Sequence, residues 1–179
     1  GKSFAVDMWI RISGEGTIFR HGNGTNKIAL GIKEVDGEYH FAVNGDVYGN
    51  PLPADKWIYL AFNLDQEHFD GTCFTALYAD DTSSEYLAVE KHLEKYEGNG
   101  IVALGEGFTG AIHEVALWDK AIDVDNLQAQ MHESKHPATE HLIGYWKLNE
   151  GTGTQAKDFA RNRHMNIGST SWYLNNKNM

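Results

Sequence analysis

Phe108-Thr-Gly-Ala-Ile-His-Glu-Val-Ala-Leu-Trp-Asp-Lys-Ala-Ile122 decides how this 179-residue chain folds. From Gly110 onward, Ile112, His113, Glu114, Val115, Ala116, Leu117 and Trp118 point to opposite faces in turn, which is the period of a β-strand. Asp123 follows as an N-cap, and Asp125 adds negative charge to a first helical turn. Val124, Leu127 and Met131 then recur at helical spacing, so a single short helix is expected over about 124–133, ended by His136-Pro137.

The chain before this stretch reads almost wholly at period two. Phe4, Val6, Met8, Ile10 and Ile12 form one face of a first strand, with Ala5, Asp7, Trp9 and Arg11 on the other. Asp36-Gly37 and Asn44-Gly45 separate short alternating runs and carry the residues that a type I′ hairpin needs. From Trp57 to Leu64 both faces are apolar, so both must be covered. These signals predict an all-β, antiparallel sandwich of two sheets, with the helix on an edge or rim. No repeat, low-complexity run or Pro/Gly/Ser-rich linker divides the sequence, which argues for one domain over 1–179.

Composition narrows the partners. There are 25 acidic residues against 15 basic ones, giving a formal charge of −10, and no Lys/Arg cluster interrupts the pattern. Nucleic acid and anionic membranes need a basic footprint, so neither is expected as a partner. No apolar run is long enough to span a bilayer, and the lack of a signal peptide means little in an excised domain, which would have lost it. Cys73 is the only cysteine, so no internal disulfide forms, and in its alternating stretch it reads as a small core residue.

Three segments in order resemble those of a known family. Ser3-Phe-Ala-Val-Asp-Met-Trp-Ile10, Leu52-Pro-Ala-Asp-Lys-Trp-Ile-Tyr-Leu-Ala-Phe62 and the opening stretch match its first, central and late strands. Gly144-Tyr-Trp-Lys-Leu-Asn-Glu-Gly-Thr-Gly-Thr-Gln-Ala-Lys-Asp158 matches the segment that follows them. The chain thus resembles laminin-G-like domains of the concanavalin A-like lectin/glucanase group, which implies a jelly-roll sandwich. A strand that usually precedes the first segment has no counterpart before Gly1-Lys2, which implies a domain excised from a longer protein and lacking its first strand.

The resemblance also frames the chemistry. Members often hold a structural calcium through an Asp at the position of His113; imidazole is a poor ligand for a hard cation, so that site is expected to be weakened or lost. Asp80-Asp81 is another oxygen-rich turn that could take calcium. Apart from that doubtful calcium, no cofactor is expected. After Asp158, Ala160 and Arg161 stand where the family has Ser and Gly, while Asp158 remains placed to tie the turn. Glycoside hydrolases of the same fold carry E-x-D-x-E on one strand, and Glu34, Asp36 and Glu38 repeat that spacing. Asp36-Gly37 is turn chemistry, however, so the three carboxylates are expected to splay over a hairpin tip and the domain not to be an enzyme. His132, His136 and His141 invite a zinc reading, but Pro137 disfavours helical geometry at His136, and a solvated helix end fits better.

Sugar rings stack their C–H faces on flat side chains. Trp9, Trp57, Trp118 and Trp146 fall on family positions and read as core, which leaves Trp172, Tyr39, Tyr48, Tyr86 and Tyr96 as candidate ligand-binding residues. The expected function is non-catalytic carbohydrate binding or accessory recognition in a secreted or cell-surface protein. The alternatives are a protein–protein adhesion or structural module and, behind it, a glycoside hydrolase.

Overall fold

The computed structural model describes residues 2–68, 70–97 and 101–168. Its first five strands are β1 (Phe4–Ile12), β2 (Gly16–Asn23), β3 (Asn26–Val35), β4 (Glu38–Val43) and β5 (Asp46–Leu52). Next come β6 (Trp57–His68), β7 (Gly71–Ala79), β8 (Ser84–His92), β9 (Val102–Glu106) and β10 (Gly110–Trp118). The helix α1 (Val124–Ala129) precedes β11 (Leu142–Trp146), β12 (Gln155–Ala156) and β13 (Met165–Asn166). One sheet runs β11-β10-β1-β6-β7-β8 and the second β5-β4-β3-β2-β9, while β12 and β13 form a separate ribbon. The two sheets give the antiparallel sandwich that the period-two pattern implies.

Alternation decides which atoms meet. Phe4, Val6, Met8, Ile10 and Ile12 face Ile28, Leu30, Ile32, Phe41 and Val43 of the other sheet in one buried cluster. Each such side chain contributes about 1.5–3 kcal/mol relative to exposure. Both turn predictions hold in their dihedrals: Asp36 and Gly37 have φ of 53° and 83°, and Asn44 and Gly45 have 51° and 92°. Positive φ at both central positions is what a type I′ turn requires. Gly144 serves close approach instead, because a Cβ there would lie 2.2 Å from the Trp146 ring. That ring fills the core beside Val115 and Leu117.

The opposite face of the six-stranded sheet is also dry. Ala5, Trp9, Tyr59, Ala61, Ala116 and Trp118 are roofed there by Val124 and Leu127. The helix therefore lies on this outer face and not on an edge or rim. It is also shorter than its apolar spacing suggests, ending at Ala129 rather than near residue 133. Its N-terminus is as expected, with the Asp123 carboxylate accepting from the Asp125 amide at 2.8 Å. At its other end, side chains of the sheet below bond carbonyls of the last turn and of the chain just after it. Tyr59 donates to the Leu127 carbonyl at 3.0 Å and Trp9 Nε1 to that of Met131 at 3.1 Å.

Strict alternation fails once in β10. Asp7 pairs with Ala116 but Trp9 pairs with His113, so β10 carries one extra residue between them. Glu114 absorbs it at φ 53°. This is a β-bulge, and it turns both Ile112 and Val115 toward the inter-sheet core.

Asp7, on the roofed face, is fully buried. Trp118 Nε1 donates to its Oδ2 at 2.8 Å, and Lys135 Nζ lies 3.2 Å from Oδ1. Lys135 is itself buried, so the pair anchors the chain after α1 onto the sheet. Desolvation holds the Asp7 carboxyl above the usual carboxylate range, although Lys135 opposes it. The native state therefore binds this proton more tightly than the unfolded chain, and this group's contribution to stability falls as pH rises through that window. Lys135→Met strands the carboxylate and should cost about 3–5 kcal/mol, with Asp7→Asn/Lys135→Met recovering most of the loss. Chemical denaturation of the single and double variants at several pH values checks this, and the Lys135→Met loss should grow with pH. Equal stability of parent and Lys135→Met would contradict it.

Candidate functional site

β11 pairs only with Val115–Trp118 of β10. Beyond its reach, the first half of β10 borders a groove of about 450 Å³ whose other walls are β9 and the β12–β13 ribbon. Trp57, at the start of β6, and Phe108 contribute flat rings, with Ile112, Leu148 and Met165 beside them. His113, His164 and Asn166 add hydrogen-bonding groups. No aspartate or glutamate lines the groove among the described residues.

Local sequence explains how these groups are held. Trp57 is half-buried, and its ring meets that of His113 edge-on at 6.1 Å. The two come from strands on either side of β1, whose Arg11 pairs with Trp57 and whose Trp9 pairs with His113. Trp57 therefore packs against the buried cluster of the roofed face, as its motif position suggests, and also forms a wall of the groove. Trp9, Trp118 and Trp146 are buried as expected. On the far wall, Asp158 organises the turn that leads to β13. Its Oδ1 accepts from the amides of Tyr145 and Ala160, and its Oδ2 from those of Arg161 and Arg163. The Asp158 amide donates to His164 Nδ1 at 3.0 Å, so a neutral His164 carries its proton on Nε2. Asp158 thus ties the turn although the family's Ser and Gly are replaced.

The residues picked from sequence do not converge on this groove. Trp172 lies outside the described residues. Tyr39 is half-buried and donates to the Ser13 carbonyl at 3.3 Å. Tyr48 packs edge-on against Phe74 at 5.1 Å. Tyr86 is exposed and donates to Asp125 near the helix. Tyr96 is 2% exposed and packs among Phe4 and His21, so it cannot serve as a stacking platform. That burial pushes its hydroxyl up to about 12. Its neighbours are polar in sequence, which is why it resembled a loop residue.

Glu34, Asp36 and Glu38 occupy a hairpin tip and are all exposed. Val35 pairs with Glu38 and Glu34 with Tyr39, so the trio is split between two strands and a turn. The three histidines stay apart in their contacts. His132 pairs with Asp81 at 2.7 Å, His136 accepts from the Ala138 amide, and His141 pairs with Asp119 at 2.9 Å. None lies on the helix, which corrects the picture of cations at its end.

The resemblance implies calcium beside His113, but the residues there do not fit that ion. Calcium takes roughly six to eight oxygen ligands, whereas His113 is buried against the Trp57 ring and, among the described residues, no carboxylate lines the groove it borders. At Asp80, one oxygen accepts from the Thr82 and Ser83 amides and the other pairs with Lys56 at 2.8 Å. Lys56 holds that carboxyl well below the usual range. Calcium added to chelator-stripped protein should therefore leave the melting temperature unchanged, since a native-state ligand would raise it. A saturable rise with calcium would contradict this.

Two comparisons bear on kinship. A solved structure of a candidate carbohydrate-binding protein from Bacteroides ovatus ATCC 8483 superposes with a TM-score of 0.68 at 20% identity. The match covers 93% of this chain and 52% of that one, so the chain spans about half its length. No curated protein matches the sequence. Residues 1–128 match the family model described as the concanavalin A-like lectin/glucanases superfamily, a span that takes in the Trp57 strand, the β10 bulge and most of α1. On that match the chain belongs to the concanavalin A-like lectin/glucanases superfamily.

Proposed function

We propose that this domain is a non-catalytic carbohydrate-recognition module of a secreted or cell-surface protein, and that its glycan lies in the groove beside β10. The observation that carries the reading is the groove's composition. Two flat rings, Trp57 and Phe108, stand beside His113, His164 and Asn166. Aromatic faces suit the C–H side of a pyranose, while a few placed polar groups fix its hydroxyls. The family and the Bacteroides ovatus neighbour agree with a glycan as the ligand class.

The same composition argues against hydrolysis. Retaining and inverting glycosidases need two carboxyl groups across the scissile bond, about 5–5.5 Å or 6.5–9.5 Å apart. The groove lining supplies none among the described residues, and the Glu34-Asp36-Glu38 trio is divided over an exposed hairpin. Among the described residues, no helix is long and apolar enough to cross a membrane.

A glycan array should return a binding class, and calorimetry with its best member should give a measurable affinity for the parent. Trp57→Ala and Phe108→Ala should each weaken that affinity by about tenfold or more, equivalent to about 1.4 kcal/mol. Tyr86→Phe, outside the groove, should leave it unchanged. Laminarin, xylan and mixed-linkage glucan should release no reducing sugar above blank. An array without hits, or full affinity in both groove variants, would overturn the binding reading. Turnover lost in Glu34→Gln would overturn the non-catalytic one.

A further inference from the structure

At the β6–β7–β8 end of the six-stranded sheet, well apart in sequence from the groove, three side chains with metal-binding atoms come together, and His92 adjoins one of them. Donor atoms of His68, Cys73 and Glu90 all lie within 4.8 Å of one another. His68 Nε2 is 3.3 Å from Glu90 Oε1, and Cys73 Sγ is 3.4 Å from His92 Nδ1. They come from three neighbouring strands, and Cys73 and His92 are direct cross-strand partners. Glu90 reaches the cluster from an irregular point in β8. Phe74 pairs with Lys91 but Ala76 with Ala88, so β8 carries an extra residue there, and Glu90 sits at φ 39°.

We propose that His68, Cys73, Glu90 and His92 form a binding site for zinc or a similar first-row divalent ion. The donor set is that of such ions: a thiolate, two imidazoles and a carboxylate. Calcium or magnesium would ask for oxygens alone. The spacing fits too. Tetrahedral zinc with bonds of ~2.0–2.3 Å sets its ligand atoms ~3.3–3.8 Å apart. Both close contacts fall in that range before any side chain moves.

The surroundings favour a cation. The carboxylates of Glu90, Asp65 and Asp70 lie near enough to act on the Cys73 thiol, a negative field that suits a bound cation. Binding exchanges the thiol proton for a Zn–S bond and releases that proton to solvent, so affinity should rise with pH. At His68, the Asp70 amide donates to Nδ1 at 3.3 Å, and Nε2–H faces Glu90. Zinc at Nε2 moves the ring proton to Nδ1 and frees this long bond in favour of water. A surface depression bordered by Gln66, Asp70, Thr72 and His92 gives a route in.

The test titrates chelator-stripped protein with zinc by calorimetry, and with cobalt(II) as a spectroscopic stand-in. One equivalent of zinc should bind and raise the melting temperature, and cobalt should show a thiolate-to-metal charge-transfer band with tetrahedral visible bands. Cys73→Ser should lose the charge-transfer band. Glu90→Gln and His92→Gln change exposed residues and should fold as the parent does, yet weaken zinc by about tenfold or more. No charge-transfer band from the folded parent would overturn the site. So would zinc affinity unchanged in both exposed variants.

Discussion

The buried carboxylate of Asp7 is the constraint from which the rest of this architecture follows. Trp118 and Lys135 both reach it, so the strand before α1 and the chain after it are fixed to one point on β1. Between those two anchors the intervening segment has little choice but to lie across the outer face of the sheet. That placement covers Trp9, Tyr59 and Ala61 and makes β1 and β6 dry on both sides. A buried ion pair adds little net stability over an apolar substitute, and its use here is to choose one docking position.

The bulge next to this anchor sets the geometry of the groove. Asp7 is paired with Ala116 on one side of the bulge, and Trp9 with His113 on the other. The extra residue at Glu114 therefore re-aims the first half of β10 relative to the second. His113 is thereby set against Trp57, and Ile112 toward the opposite wall. A regular strand would have kept Ile112 and Val115 on opposite faces. The groove proposed for recognition thus lies where regular pairing stops, a common location because edges leave side chains free to meet a ligand.

The fold was legible because its signals are local. Period two in β1 and β6, and the paired positive-φ residues of Asp36-Gly37 and Asn44-Gly45, depend only on neighbours. The helix was over-extended for the same reason, since Met131 keeps helical spacing even though its carbonyl is claimed by Trp9 from a distant strand. The candidate site was less legible, because its chemistry is non-local. Trp57 sits at a position that the family fills regardless of ligand, and only the packing against His113 shows its open side. Tyr96 failed in the other direction: its polar flanks suggest a loop, yet Phe4 and His21 enclose its ring. Nor does any spacing rule connect Asp7 with Lys135, or His68 with Glu90. Docking of the chain after α1 onto β1 joins the first pair, and the sheet order β6-β7-β8 the second.

Two-dimensional NMR of the tryptophan indole N–H groups, recorded while a bound glycan is titrated in, tests the placement of recognition most directly. Each of the chain's five tryptophans carries one indole N–H, and single variants would assign the signals. Trp57 should shift with saturation at the glycan's affinity, while Trp9 and Trp118, sealed beneath the helix, stay in place. Saturable binding that leaves the Trp57 signal unmoved would show that the glycan sits elsewhere and that the groove is not the site.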